Sequence, residues 1–502
     1  MDDRTAAPLS RNGESAASLG EAMLVGAVVL AIAGYWSAMS VLIHRSFHSN
    51  GWDLGLINQV IWNSAHGRLF DYSFRSSSYA GDHWQPLLLL LVPLKWIGTG
   101  PEALLLVQAV MLAVAAIPLY VSVREIADQK AAATIAGIYL VGLAAARAVS
   151  FDFHMEAFAP VLAFTAILGL VRGRPLVWVS CGVVILTIKE DAALVTLALC
   201  WIAWFGFHER ARAAVLATAA TAYGFVATSV IIPHYRGDDL NPFLERYSYL
   251  GDSPLEVLAS VITRPDLVVE QLARGDAIIA ILVVLASSAF LPLLVPRLLP
   301  ALALVTVVPL LSTASAQGSL GLHYLIVPAT VAMMLAVVAL RDNLDGAGVL
   351  RIGPCRLGPR TWPMAAAGFP VAMFLFASPL PPSVNTEWGR FDVDDHAAVA
   401  REFVDQVPQD AIVSAQSPFI PHLSERPALY EFPRVLDSEI VLLDEYGPIP
   451  DDAFTAGYED CHAALPRLGF DLVKTEDGIS MWRKVRPAEP VPEAPLECSG
   501  QH

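Results

Sequence analysis

PLLLLLVPLKWI, Pro86 to Ile97, is the stretch on which the topology turns. It is almost wholly apolar, but as a helix it would reach only about 18 Å, against a hydrocarbon core of about 30 Å. It reads as a helix lying along the membrane interface. Counting it as a crossing would reverse the direction of every later helix. The basic residues argue against that reversal. With the N-terminus inside, the inner connections carry Arg124 and Lys130, then Arg172 and Arg174, then Arg210 and Arg212, then Arg297, and finally Arg341, Arg351, Arg356 and Arg360. Each is basic, as the positive-inside rule requires, and the alternation places the C-terminal tail outside.

Working outward, about eleven apolar runs read as spans: 22–43, 103–123, 131–149, 157–171, 175–188, 191–207, 213–233, 276–296, 298–312, 323–340 and 364–380. Composition agrees. The 502 residues are 55% hydrophobic and 16% charged, where soluble domains carry about 25% charged residues. Lipid offers no partner to free backbone groups, so closed helices are the way across. The first run, from near Met23, is followed by no small-residue cleavage pattern and reads as a span, not a removed signal. The expected fold is an α-helical polytopic membrane protein with about eleven transmembrane helices. A cytoplasmic tail covers 1–21, the multi-span region 22–380 includes an outer loop at 44–102, and an extracytoplasmic α/β domain covers 381–486. The Pro-rich end, 487–502, is expected to be disordered.

The formal net charge is -16, and residues 381–502 hold 23 acidic against 9 basic side chains. So acidic a tail argues against nucleic acid as partner. Asp394 to Val407 has the pattern of an amphipathic helix, and Ala411 to Ala415 and Glu439 to Leu443 of buried strands. Phe470 to Thr475 and Ile479 to Val485 flank Glu476-Asp477-Gly478, a hairpin signal. Of the five cysteines, Cys181 and Cys200 lie in apolar runs and Cys355 in a basic loop. Cys461 and Cys498 lie in the acidic tail. An oxidising compartment would let them pair; two free thiols is the alternative. No zinc-ligand spacing is present.

The outer segments carry compact polar motifs: Trp52-Asp53-Leu54-Gly55 with Asn58, then Gly81-Asp82-His83-Trp84-Gln85, Phe151-Asp152-Phe153-His154-Met155-Glu156, Lys189-Glu190-Asp191, Arg246-Tyr247-Ser248-Tyr249, and His323-Tyr324. Carboxylates beside imidazoles serve as general bases or bind a divalent cation. Arg and Lys hold phosphate, and Trp and Tyr stack on a sugar ring. Taken singly, a Trp or Tyr at a span end is also an interface anchor and an Asp at a helix start an N-cap. The weight rests on the combination. Five separate outer turns carry such residues and the inner turns carry scattered Arg and Lys, which points to one site assembled at the outer face.

WDLGLINQVIWNSAHGRLF, GDHWQPLLLLLVPL, DFHMEAFAP, IKEDAAL, RYSYLG and the tail piece SAQSPFIPHLSERPALYEFP resemble the predicted membrane proteins numbered 2079 among domains of unknown function. The resemblance runs from about Phe47 to Val485. More distantly, the first half looks like the C-type (GT-C) membrane glycosyltransferases, which take a sugar from a polyprenyl-phosphate carrier and attach it outside the cytoplasm. Asp53 matches their acidic position after span one, and Gln85-Pro86-Leu87 stands where His-Pro-Pro-Leu is common. Asp-Leu-Gly lacks the usual second acid.

The resemblance implies a GT-C-like fold in the cell membrane, with Asp53 as general base and Asp82 and His83 beside it. Asp152, His154 and Glu156 would hold Mg²⁺ or Mn²⁺. Arg246 and Lys189 would take the carrier phosphate. Trp52, Asn58, Trp84, Glu190, Asp191, Tyr247, Tyr249, His323 and Tyr324 would bind substrate. The partners would be membrane lipid, the polyprenyl-phosphate sugar donor and an envelope glycan or protein acceptor. The alternatives are a non-catalytic envelope binding or scaffold protein on the same fold and a lipid or solute transporter. A transporter would place its polar groups near the bilayer midplane, within repeats.

Overall fold

The computed structural model describes residues 18–75, 78–237, 243–447, 457–486 and 498. The tail expected at 1–21 lies outside the described residues up to residue 17, as does the Pro-rich end apart from Cys498. Among the described residues, six helices are long and apolar enough to cross a membrane: Leu19–Arg45, Glu102–Arg124, Gln129–Val149, Glu190–Phe207, Arg210–Arg236 and Ser315–Asn343. The other expected spans fall on shorter apolar helices, Met155–Val171, Pro175–Ile185, Gly275–Ala286, Pro296–Leu310 and Thr361–Ala377. At 1.5 Å per residue these reach about 16–26 Å, so the eleven apolar runs are helical without all being full-length crossings. Proline sets two of the starts, Pro175 and Pro296, where its missing N–H is not needed.

Ion pairs sort the helix ends into two faces. Arg124 donates to Glu21 at 2.7 Å, Arg172 pairs with Glu125 at 2.7 Å, and Arg297 pairs with Asp342. These bring the expected inner connections together at one end. Arg45 and Glu102 pair at 2.9 Å at the other. The segment Ile326–Asn343 runs through the middle, buried from Pro328 to Leu340. The Pro86–Trp96 stretch is a short apolar helix and leaves Leu90, Trp96 and Ile97 exposed.

A five-stranded sheet follows in the tail, in the order Leu429–Glu431, Val413–Ala415, Ile440–Asp444, Ile479–Lys484, Phe470–Glu476. The first three strands are parallel and the last two form an antiparallel hairpin. Its turn places Asp477 at φ 50° and Gly478 at φ 77°, the left-handed pair that matches strand twist. The helix Asp395–Asp405 begins where the Asp394 carboxylate accepts from Ala397 N at 2.9 Å. Leu429–Glu431 was not among the expected strands: three residues give no alternation to read.

The sheet sits on the motif-bearing end of the helices. Phe419, Ile420 and Leu423 belong to the same continuous core as the spans, and Phe432, Val441, Leu443 and Phe470 form a second, smaller one. Cys461 and Cys498 are disulfide-bonded, with Cα atoms 5.6 Å apart.

Candidate active site

Asp53 lies on a π-helical turn, Gly51–Gly55, which is held from three sides. The Asn50 side chain accepts from Trp52 N at 2.8 Å, the Asp152 carboxylate from Asn50 N at 2.6 Å, and Ser417 Oγ of the tail from Gly51 N at 3.0 Å. Ile420 fills the space over both glycines. A Cβ on Gly55 would stand 2.6 Å from Ile420 Cγ2 and one on Gly51 3.0 Å from Ile420 Cβ, so the close approach requires glycine.

The turn presents Asp53 Oδ1 to His154 Nε2 at 3.2 Å, while His154 Nδ1 lies 2.9 Å from the Asp152 carbonyl. Both ring nitrogens face acceptors, and only a doubly protonated imidazole donates to both. Burial opposes that charge, but the hydrogen bond and attraction of Asp53 outweigh it, and the His154 pKa is raised. Asp152 is buried beside Asp53. Desolvation first, and the Asp53 charge second, push its carboxyl up to about 8.

Around this pair lies a cavity of about 1060 Å³. Of the residues expected in a site, Asp53, Trp52, Asp82, His83, His154, Glu156, Lys189, Glu190, Asp191, Arg246, Tyr247, His323 and Tyr324 line it. Five separate outer segments thus meet in one space.

Several of these side chains hold the walls. Glu190 accepts from Trp84 N at 3.0 Å through one oxygen and meets His83 Nδ1 at 2.8 Å through the other, fixing the 82–85 loop. Asp82 accepts from Tyr72 and pairs with Arg75 Nε at 3.2 Å. Lys189 is paired with Glu156 at 3.0 Å, both side chains being mostly out of solvent. Burial opposes the Lys189 charge, yet Glu156 and Asp191 raise its pKa well above the usual value. The expected phosphate ligand Lys189 is therefore committed to an internal ion pair.

Four expected residues do not line the cavity. Asn58 is fully buried and donates to Ser424 Oγ at 2.8 Å, joining the helices to the tail. Tyr249 donates to the Leu311 carbonyl at 2.9 Å. Trp84 packs on Phe70, and Asp152 lies behind the Asp53 turn. The expected metal set of Asp152, His154 and Glu156 does not converge: one carboxylate accepts from Asn50, the other from Lys189, and the imidazole faces Asp53. Among the described residues no three His, Cys, Asp or Glu side chains stand in metal-holding geometry.

Other residues enter unannounced. Arg75, Arg236, Ser417 and Glu431 line the cavity. Arg75 lies over the Trp52 ring, 5.3 Å from its centroid. Arg236 is 9% exposed, and its Nε has no hydrogen-bond partner among the described residues. Gly81 brings it there: a Cβ at Gly81 would stand 2.7 Å from the Arg236 Cα. Arg246 donates to Gln317 Oε1 at 3.1 Å and lies 5.0 Å above the Phe243 ring. In the sequence Arg75 and Arg236 looked like any loop arginine, and the tail residues carried no signal of reach.

Part of the lining is apolar, with Leu194, Val195, Ile232, Val305 and Val327 from four of the helices. At Thr228 and Val308, both exposed, the cavity reaches the outer flank of the bundle. Phe225 and Val230 are exposed beside it, a flank suited to lipid.

A family model described as a predicted membrane protein (DUF2079) matches residues 43–450. No curated protein matches the sequence significantly. Among solved structures, the apo form of ArnT from Cupriavidus metallidurans aligns with a TM-score of 0.50 at 13% identity, over 93% of this chain and 98% of that one. That likeness shows a shared fold. ArnT from the same organism bound to undecaprenyl phosphate gives 0.48 at 13% identity, over 95% and 100%. The archaeal oligosaccharyltransferase AglB from Archaeoglobus fulgidus, in complex with an inhibitory peptide and a dolichol-phosphate, gives 0.37 at 12% identity, over 93% and 75%. These two are weaker likenesses.

Proposed function

The chain belongs to the DUF2079 family of predicted membrane proteins, and from that premise we propose that it is a membrane glycosyltransferase. It moves a sugar from a polyprenyl-phosphate carrier to an acceptor outside the cytoplasm. The observation that carries this reading is the mixed lining of the cavity. Asp53, Arg236 and Arg246 line it together with apolar residues of four helices, and it reaches the exposed flank at Thr228 and Val308. A ligand with an anionic head and a long hydrocarbon tail suits such a space, and a water-soluble solute does not need the apolar part.

The geometry suits an inverting displacement. Asp53 takes the proton of an acceptor hydroxyl as that oxygen attacks the anomeric carbon. The bond from that carbon to the phosphate oxygen breaks, and the carrier leaves as its phosphate. Arg236 and Arg246 offer the developing charge two guanidinium groups, whose planar donors suit phosphate oxygens. His154 holds the Asp53 carboxylate in place through its second N–H. The basic ends of the helices would face the cytoplasm, which puts the cavity and the C-terminal sheet on the outer side. The sheet reaches the cavity through Ser417 and Glu431 and is placed to meet the acceptor.

The test is purified protein in lipid nanodiscs given polyprenyl-phosphate-linked hexoses and pentoses, with release of free polyprenyl phosphate as readout. Release from at least one donor, lost in Asp53→Asn, is the expected result. Failure of the wild-type protein to bind any polyprenyl phosphate would overturn the reading.

A further inference from the structure

Besides Arg236 Nε, the cavity wall holds Glu156 Oε2 and His323 Nδ1 without a hydrogen-bond partner among the described residues. Glu156 is 8% exposed and His323 6%. Neither is free to turn away. Glu156 is anchored through Oε1, which accepts from Lys189 Nζ at 3.0 Å. The His323 ring is stacked on His154 with centroids 3.5 Å apart, and packs against Tyr324 at 4.2 Å. Both line the same cavity as Asp53, and the His154 ring that carries His323 on its face meets Asp53 with its edge.

Buried polar atoms are nearly always satisfied, and a fixed exception calls for an explanation. The chemistry of the two atoms narrows it. A carboxylate oxygen only accepts, whereas imidazole Nδ1 donates in one tautomer and accepts in the other. A hydroxyl answers both, donating to Glu156 Oε2 and accepting from His323 Nδ1–H, or two neighbouring hydroxyls do so separately. A phosphate does not, because it would meet the Glu156 carboxylate with like charge. The stacked rings of His154 and His323 add a rigid wall beside these atoms.

We propose that Glu156 and His323 form a hydroxyl-reading subsite for the sugar of the carrier-linked donor. It is separate from the arginines that face the phosphate. The assignment rests on the glycosyltransferase reading above and supplies what that reading lacks, a place where the sugar itself is recognised.

The test compares two probes on nanodisc-embedded protein: a short-chain polyprenyl phosphate, and the same lipid carrying a single glucose, galactose, mannose or arabinose. The wild-type protein is expected to bind at least one glycosylated lipid more tightly than the bare one. Glu156→Gln and, separately, His323→Phe are expected to reduce that preference by about tenfold, the scale of one buried hydrogen bond, with binding of the bare lipid kept. The second variant preserves the ring stack and the Glu156–Lys189 pair, and bare-lipid binding reports that each protein is folded. A preference that survives in both variants, or a wild-type protein that binds the bare lipid and favours none of the four sugars, overturns the subsite while leaving the carrier reading intact. Binding of neither probe removes the carrier reading, and the subsite with it.

Discussion

The Asp53 carboxylate and the His154 imidazole meet at 3.2 Å although 101 positions separate them in the chain. The contact ties the first outer loop to the turn before Met155–Val171 and leaves a carboxylate oriented by an imidazole at the cavity wall.

Asp53→Asn is expected to lower sugar transfer by about 10²–10⁴-fold, the usual contribution of a positioned general base. The amide is nearly isosteric, so the melting temperature in detergent should stay within a few degrees. Transfer at the wild-type rate would remove Asp53 from the chemistry.

Gly81→Ala should destabilise the fold by about 1–3 kcal/mol, the range for overpacking. The added methyl would meet backbone atoms of Tyr235 and Arg236 at 2.7–2.9 Å, and backbone cannot step aside as a side-chain tip can. Thermal unfolding in detergent measures it, and an unchanged melting temperature would show that the helix end at Arg236 yields freely.

His396 joins two elements of the tail, with Nδ1 2.8 Å from Asp477 and Nε2 3.1 Å from Asp444. Partial burial lowers its pKa, but the hydrogen bonds to Asp444 and Asp477 outweigh burial and raise it above 6.5. A raised folded-state value gives stability that is full below the unfolded pKa and is lost as pH climbs through the folded one. Melting temperature should therefore fall from about pH 6.5 upward, and His396→Ala should flatten that slope. An equal slope in both proteins would contradict the assignment.

Cys461 and Cys498 should resist alkylation in protein isolated without reductant and react fully after reduction. The bridge spans 37 positions, for which loop-closure entropy gives a stabilisation of about 3–4 kcal/mol. Complete labelling before reduction would disprove the bond.

Much of this arrangement was readable beforehand where a physical period or a charge marked it. The apolar runs, the stretch at Pro86, the Asp477-Gly478 hairpin and the clustering of Asp53, His83, His154 and Lys189 all carried such marks. What escaped depended on direction and long-range contact. Asn58 lies one helical turn from Asp53, and nothing local says that it turns to Ser424. Lys189 has the charge a phosphate needs, yet the buried Glu156 claims it. Arg236 reaches the cavity only because Gly81 lets two backbones touch. Ser417 arrives from 366 positions away.

That last distance bears on how the molecule is made. The 51–55 turn leaves the ribosome well before the residues that cap it, Ser417 and Ile420. At about 5–20 residues per second, roughly 20–70 s pass between them. Throughout that interval the nascent chain carries an unfinished Asp53 loop. The Asp53 loop is completed only when the segment that carries Ser417 and Ile420 has been made and has closed over it, so a chain truncated before Ser417 would leave the 51–55 turn uncapped.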